Sequence, residues 1–335
     1  MNVNQNVLWR KESDPEHGLE FIILGYRDDA HSDNNLEAWI TPSHGSNLCR
    51  FSVGGKNVID FERELWSNSD YTGTPILYPT PNRVRDGVFR HQGQLYPQNK
   101  RGRRVVEHGL VHDEGWHCEA PTVLPDAITL KTWITFDAGS PLWEAFPFHH
   151  RLELVFALGR TGLQITYVLH NLGQTAIPFG FGLHPYFAKL SGEEETYISL
   201  PANQVMDMTA DQLPTGRLID VTDTIFDLRQ GKPIGALDMD HVFTGVPAGR
   251  RAEIDYRTLG IRVSMDATPD FSHLVLYSPR GESYFCLEHY TCSTDAHNLY
   301  DQSFVAESGL RILPPGETAT GSVSYRITKE AYIEN

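Results

Sequence analysis

Residues 282–291, ESYFCLEHYT, place one carboxylate, Glu288, at the end of an apolar run of Tyr284, Phe285, Cys286 and Leu287. Such a run reads as a buried strand, where an ionised group is costly unless it is paired or put to use. Glu288 is therefore either a salt-bridged strand-end residue or a proton-transfer group made more basic by desolvation. A second stretch, FGFGLHPYF at 179–187, sets His184 among apolar residues and directly before Pro185. The proline biases His184 to an extended backbone. An ordinary histidine pKa of about 6.5 would let it hold a proton near neutral pH. The alternative is a core histidine with its hydrogen bonds satisfied. The glycines suggest a nucleotide loop only faintly, because Pro185 interrupts the pattern and no helix follows.

HGLVHDEGWHCE at 108–119 gathers His108, His112, Asp113, Glu114, His117 and Cys118. A metal site would need His108 and His112 on one helical face. Gly109 and Gly115 in a turn-rich stretch argue against that helix, so no metal is expected. PTPNRVRDGVF at 79–89 carries Asn82 and Arg83 ahead of a strand. Arg83 is either a turn arginine facing solvent or a fork of donors able to hold several hydroxyl oxygens at once.

The elements that would carry these groups have period two. Leu152, Leu154, Phe156 and Leu158 share a face, as do Leu163, Ile165, Tyr167 and Leu169. Ile261, Val263 and Met265 repeat the pattern, and so do Val323, Tyr325 and Ile327. This alternation predicts half-buried antiparallel strands. Turn clusters punctuate them at Gly54-Gly55, Gly159–Gly162, Ser278–Gly281 and Pro314–Gly316. HLVLYS and ESYFCLE, joined through PRG, predict a hairpin that delivers Glu288 where its strand leaves the sheet. FERELW at 61–66 predicts at most a helical turn or two, and Glu193–Glu195 a solvated loop tip. The expectation is an all-β sandwich with few short helices, in a single domain over 1–335.

The chain of 335 residues has 40% hydrophobic residues and a formal charge of −15. It would repel the phosphates of nucleic acid or an anionic membrane, so neither is an expected partner. No uncharged apolar stretch approaches a membrane span of about 18 residues. The opening MNVNQNVLWRKESDPEHG lacks the apolar centre of a secretion signal. Cys49, Cys118, Cys286 and Cys292 show no paired spacing and read as buried thiols. Together these features predict a cytoplasmic protein.

In their order along the chain the motifs resemble those of the aldose 1-epimerase (galactose mutarotase) family, over most of the sequence. PNRVRDGVF with Gly93 and Tyr96 is similar to the family's asparagine-arginine segment, and His108-Gly109 to its first histidine motif. Gly182-Leu-His184-Pro-Tyr186-Phe is similar to the second histidine motif. LPTG at 213–216, FDLR at 226–229 and Ile234-Gly235 follow, then Asp240-His-Val-Phe243 resembles the aspartate motif. CLEHYTCSTDAHN at 286–298 keeps Glu288, Thr291, Asp295, Ala296 and Asn298 at the family's spacing. His289-Tyr290 and Cys292-Ser293 depart from it close to the sugar, which leaves the identity of the sugar open.

The resemblance implies a galactose mutarotase-like supersandwich that interconverts the anomers of a free aldose by opening and reclosing the ring. Glu288 would be the general base and His184 the general acid. Arg83, His108 and Asp240 would bind sugar hydroxyls, with Asn82, Tyr186 and Trp116 as further contacts. Trp116 reads equally as a core residue. No metal or redox cofactor is needed, and the expected assembly is a monomer or homodimer. Three rivals stay open. Arg85, Arg90, Arg101, Arg103 and Arg104 could receive the anion of a hexose phosphate or other acidic sugar. The sandwich could be a non-catalytic sugar-binding module. Asp240 or Asp295 could partner Glu288 in glycoside hydrolysis.

Overall fold

The computed structural model describes residues 6–61, 66 and 71–329. Most of the FERELW turn lies outside them. Among the described residues, a thirteen-stranded and a ten-stranded sheet dominate, and every pairing within them is antiparallel. In the ten-stranded sheet, Ala127–Phe136, His150–Gly159, Gly162–Asn171, Thr318–Lys329, Ile261–Ala267 and Ala252–Tyr256 lie side by side in that order.

Here the period-two reading holds residue by residue. Leu152, Leu154, Phe156 and Leu158 are fully buried, with partly exposed Glu153, Val155 and Ala157 between them. Burying each such side chain stabilises the fold by about 1.5–3 kcal/mol. The buried face meets Phe51, Ile59, Phe187 and Phe285 of the thirteen-stranded sheet in one apolar cluster. Phe187 touches Phe285 at 5.8 Å and Tyr325 of the opposite sheet at 6.2 Å between ring centroids. The arrangement is a β-sandwich.

The predicted hairpin forms between His273–Tyr277 and Tyr284–Tyr290, with Val275 opposite Glu288. One detail differs. The strand continues to Tyr290, so Glu288 sits two residues inside it rather than at its exit. Phe285 and Leu287 point into the sandwich. Alternation sends Cys286, Glu288 and Tyr290 to the other face. That outer face is not open to water, because Tyr290 packs with Leu77, Met206, Val242, Val275 and Leu299 in a second apolar cluster.

The described helices are short, Gly192–Glu195, Ala296–Asp301 and Val305–Ser308. None is long and apolar enough to cross a membrane. The acidic triplet at 193–195 is exposed, as expected, although it forms a helical turn rather than a loop. All four cysteines are free, and Cys49, Cys286 and Cys292 are buried. Cys118 departs from expectation: it lies exposed on the short edge strand His117–Cys118.

Candidate active site

Sheet register brings the two central groups together. Gly182 and Leu183 pair with Tyr290 and His289, and Tyr186 and Phe187 pair with Cys286 and Phe285. Counting inward from both sides puts His184 opposite Glu288 and Pro185 opposite Leu287. Pro185 has no N–H to give to the ladder. The His184 N–H instead donates to the Pro75 carbonyl at 3.2 Å. Directly opposed residues share a face with Cβ atoms about 4.5–5.5 Å apart, so their side chains must meet. His184 Nδ1 lies 3.6 Å from Glu288 Oε2. That separation exceeds a hydrogen bond, and His184 Nδ1 has no hydrogen-bond partner.

Both members of the pair are buried. Glu288 is 1% and His184 5% exposed. Tyr290 lies two residues on, on the same strand face, and its hydroxyl donates to Glu288 Oε2 at 2.5 Å. Tyr186 stacks on the His184 ring at 5.0 Å and 10°. His108 meets the ring edge-on at 5.0 Å, and its own Nδ1 is buried without a partner.

His108 reaches that position through unusual backbone. Asn82 and His108 both adopt positive φ, 57° and 61°. Asparagine and histidine are among the residues enriched there. Gly109 follows at φ 72°, and a Cβ on it would come within 2.3 Å of the Tyr78 carbonyl oxygen. Only glycine allows this approach, which is fixed by the Leu110 N–H donating to that same carbonyl at 2.7 Å. The Asn82 carbonyl accepts from the His108 N–H at 2.9 Å, and its side-chain oxygen accepts from the Arg83 N–H at 2.7 Å.

Arg83 and Asp240 form the rim, 35% and 30% exposed at their side chains. Arg83 Nη1 is 3.5 Å from Asp240 Oδ2, and its Nε 3.9 Å from Glu107 Oε2. Asp240 opens the strand Asp240–Thr244, opposite Tyr277. The chain around Arg83 is held from behind. The Asp295 N–H donates to the Arg83 carbonyl, and Asp295 Oδ1 accepts from the Arg85 N–H, both at 3.0 Å. Asn298 donates to Asp295 Oδ1 at 2.7 Å and to the Val88 carbonyl at 3.0 Å.

Burial governs the electrostatics. It pushes the Glu288 carboxyl well above its usual range, as the apolar run predicts. The Asp240 charge adds to the shift, while the Tyr290 hydrogen bond and Arg83 oppose it. Burial also pushes His184 down to about 3 and His108 well below its ordinary value. His184 is therefore neutral at pH 7, not partly protonated as its ordinary pKa would suggest.

Six of the eight residues named from sequence, Glu288, His184, His108, Arg83, Asp240 and Tyr186, cluster here, with Asn82 beneath Arg83. Trp116 lies in the apolar core instead, its indole N–H donating to the Val111 carbonyl at 3.2 Å. Sequence reasoning missed Tyr290 and Glu107. Tyr290 carried a usable signal, since two residues along a strand means the same face. The 108–119 stretch is turn and short strand, not a ligating helix. The one three-residue group among the described residues with metal-ligand spacing, Asp14, Glu16 and His17, lies outside it.

The sequence profile described as aldose 1-epimerase matches residues 31–326. YihR of Escherichia coli K12 is 33% identical over 172 residues, 50% of this chain and 53% of YihR, so the match spans about half of that relative. YphB of the same organism is 26% identical over 259 residues, 75% of this chain and 82% of YphB. A galactose mutarotase-like protein from Clostridium acetobutylicum superposes with a TM-score of 0.83 at 20% identity, covering 98% of this chain and 100% of that one. The galactose 1-epimerase of Lactobacillus acidophilus gives 0.74 at 17% identity, covering 97% and 99%. These two likenesses show a shared fold, and the profile match shows more: this chain belongs to the aldose 1-epimerase family.

Proposed function

We propose that this protein is a mutarotase that interconverts the α and β anomers of a free aldose, with the whole chain acting as one sandwich domain. The observation that carries the reading is the cross-strand pair. Glu288 and His184 face each other in register, 3.6 Å apart, beneath a rim of Arg83 and Asp240.

The pair holds one proton between its two members. Burial disfavours both charges, so before sugar binds that proton rests on Glu288 and His184 is neutral. Sugar hydroxyls and Arg83 stabilise the carboxylate, and the proton moves to His184. Glu288 then takes the O1–H proton and His184 gives its proton to the ring oxygen. The C1–O5 bond breaks as C1=O1 forms. This step discharges an ion pair in a dry site, so burial favours it. The aldehyde turns about C1–C2, and reclosure reverses both transfers, returning the opposite anomer. Each positioned proton-transfer group contributes about 10²–10⁴-fold. His108 offers an unpartnered nitrogen to a hydroxyl or the ring oxygen, and Asp240 accepts from hydroxyls.

A free sugar is better supported than a phosphorylated one. Of the five arginines named from sequence, Arg85, Arg90 and Arg101 face Asp295, Asp301 and Glu114, Arg104 donates to the Asp86 and Gly87 carbonyls, and Arg103 alone makes no such contact among the described residues. A module that only bound sugar would need no base and acid in register. The test is polarimetry on freshly dissolved α-aldoses and their 6-phosphates. Acceleration by the protein, lost in Glu288→Gln, supports the reading; saturable binding without acceleration overturns it.

A further inference from the structure

On the other face of the strand that carries Glu288, the next residue points into a separate crevice. His289 is 3% exposed, and its ring makes no hydrogen bond among the described residues. It lies opposite Leu274, with the Phe271 ring 6.4 Å away. His289 helps line a cavity of about 410 Å³ between the two sheets. Leu274 and His289 come from the thirteen-stranded sheet and the buried Ala252 and Met265 from the ten-stranded one. The lip is an exposed loop containing Ala248 and Arg250. Among the described residues Arg250 has no ion-pair partner.

The ring nitrogens of His289 are not sealed away without a partner, so they open on the crevice, where a ligand can reach them. The cavity has the volume of a small-molecule site and the usual composition of one, apolar walls with few polar groups. Burial pushes the His289 imidazole down to about 4, so at pH 7 it is neutral and offers one donor and one acceptor. A neutral hydroxyl suits it, whereas a carboxylate at that depth would be buried without a counter-charge. At the lip the reverse holds, because Arg250 offers an exposed cation.

We propose that this crevice is a second small-molecule site, distinct from the sugar site, for a compact ring compound bearing a hydroxyl at one end and a carboxylate at the other. The hydroxyl bonds to His289, the ring packs on Met265, Phe271 and Leu274, and the carboxylate meets Arg250.

The chain has 5 methionines, so methyl NMR of the full protein gives a short, separable set of reporters. Met265 lies at the crevice floor, while Met239 adjoins Asp240 and Met206 packs with Tyr290 in the sugar-site cluster. Titration with 4-hydroxyphenylacetate should shift Met265 saturably and leave Met239 in place. Phenylacetate, which lacks the hydroxyl, should bind about tenfold more weakly, and 4-hydroxyphenylethylamine, with a cation at the other end, should not saturate. Arg250→Glu should weaken 4-hydroxyphenylacetate about tenfold, and Ala248→Trp, also on the exposed lip, should abolish it. No saturable Met265 shift at about 10 mM overturns the proposal, as does equal binding by both variants or a crystal soak showing water alone on His289. None of these readouts requires mutarotation, so the two functional readings fail separately.

Discussion

His150 and His184 are both buried, and burial pushes both imidazoles down to about 3. Their surroundings differ. His150 opens a strand of the ten-stranded sheet inside a cage of Tyr78, Phe136 and Phe146 rings. Its Nδ1–H donates to the Phe148 carbonyl at 2.6 Å, and its Nε2 accepts from the Tyr78 hydroxyl at 2.7 Å. Both nitrogens are used. His184 stacks on Tyr186 in much the same way, yet its Nδ1 meets no partner and faces a carboxyl 3.6 Å away. Burial and a shifted pKa therefore do not separate a structural histidine from one available for chemistry. What differs between the two is that His184 keeps an unpaired nitrogen beside a carboxyl.

The largest effects should fall on rate at one site and on stability at the other. Glu288→Gln and His184→Ala should each lower mutarotation by about 10²–10⁴-fold in polarimetry while leaving the fold intact. Glu288→Gln should even raise stability at neutral pH. A carboxyl whose folded pKa is raised above the unfolded value costs stability as pH climbs past the ordinary carboxylate range, and the amide removes that loss. If His184→Ala turned over substrate at close to the wild-type rate, His184 would belong with His150 as a packing residue.

His150→Ala should act in the opposite sense. It leaves a cavity among three rings and strands the Tyr78 hydroxyl, for a loss of about 3 kcal/mol or more in urea unfolding. The folded fraction should keep its rate within about twofold. A collapse of rate matching that of His184→Ala would erase the distinction.

One property should not distinguish the two histidines. Each is depressed to about 3 when folded and returns to about 6.5 when the chain unfolds. The unfolded chain then binds more protons, so stability is full above pH 6.5 and is lost as pH falls toward 3. Each histidine contributes a slope of about 1.4 kcal/mol per pH unit through that window. His273 and His297, pushed to about 4, add to it down to that pH. Stability measured from pH 7 to 4 should fall steeply, and His184→Asn should flatten the fall by one histidine's share. An unchanged slope would mean that His184 is already charged in the folded protein.

How much of this could be read beforehand follows the same division. The alternation of 152–158 and 163–169 was plain because those strands are long, with one face on the core and the other facing water. Tyr284–Tyr290 is covered on both sides, so periodicity alone could not say which face carried the chemistry. Glu288, His184, His108, Arg83 and Asp240 were legible as motifs. Their meeting was not, since it depends on strands about a hundred residues apart finding one register. Trp116 stayed open between core and sugar contact because an indole suits either, and the structure packs it in the core. Asp295 and Asn298 were legible only as a pattern. The structure shows that they grip the backbone around Arg83, which no local reading of either segment would reveal.

The smallest effect is also the most diagnostic. Tyr290 donates to the Glu288 oxygen that faces His184. The hydrogen bond favours the ionised carboxylate and so offsets part of the upward push from burial. Tyr290→Phe keeps the ring in its apolar cluster and removes only the donor. The Glu288 pKa should then rise further, because a hydrogen bond that favours the charged form is lost. The alkaline limb of kcat/KM, where the pair gives up its one proton, should move to higher pH, while the rate well below that limb changes only severalfold. A uniform fall in kcat with the limb unmoved would mean that Tyr290 merely packs. The same shift should appear in the carboxyl signal of Glu288 by ¹³C NMR without any sugar present. Agreement between the two would tie the rate to this one proton.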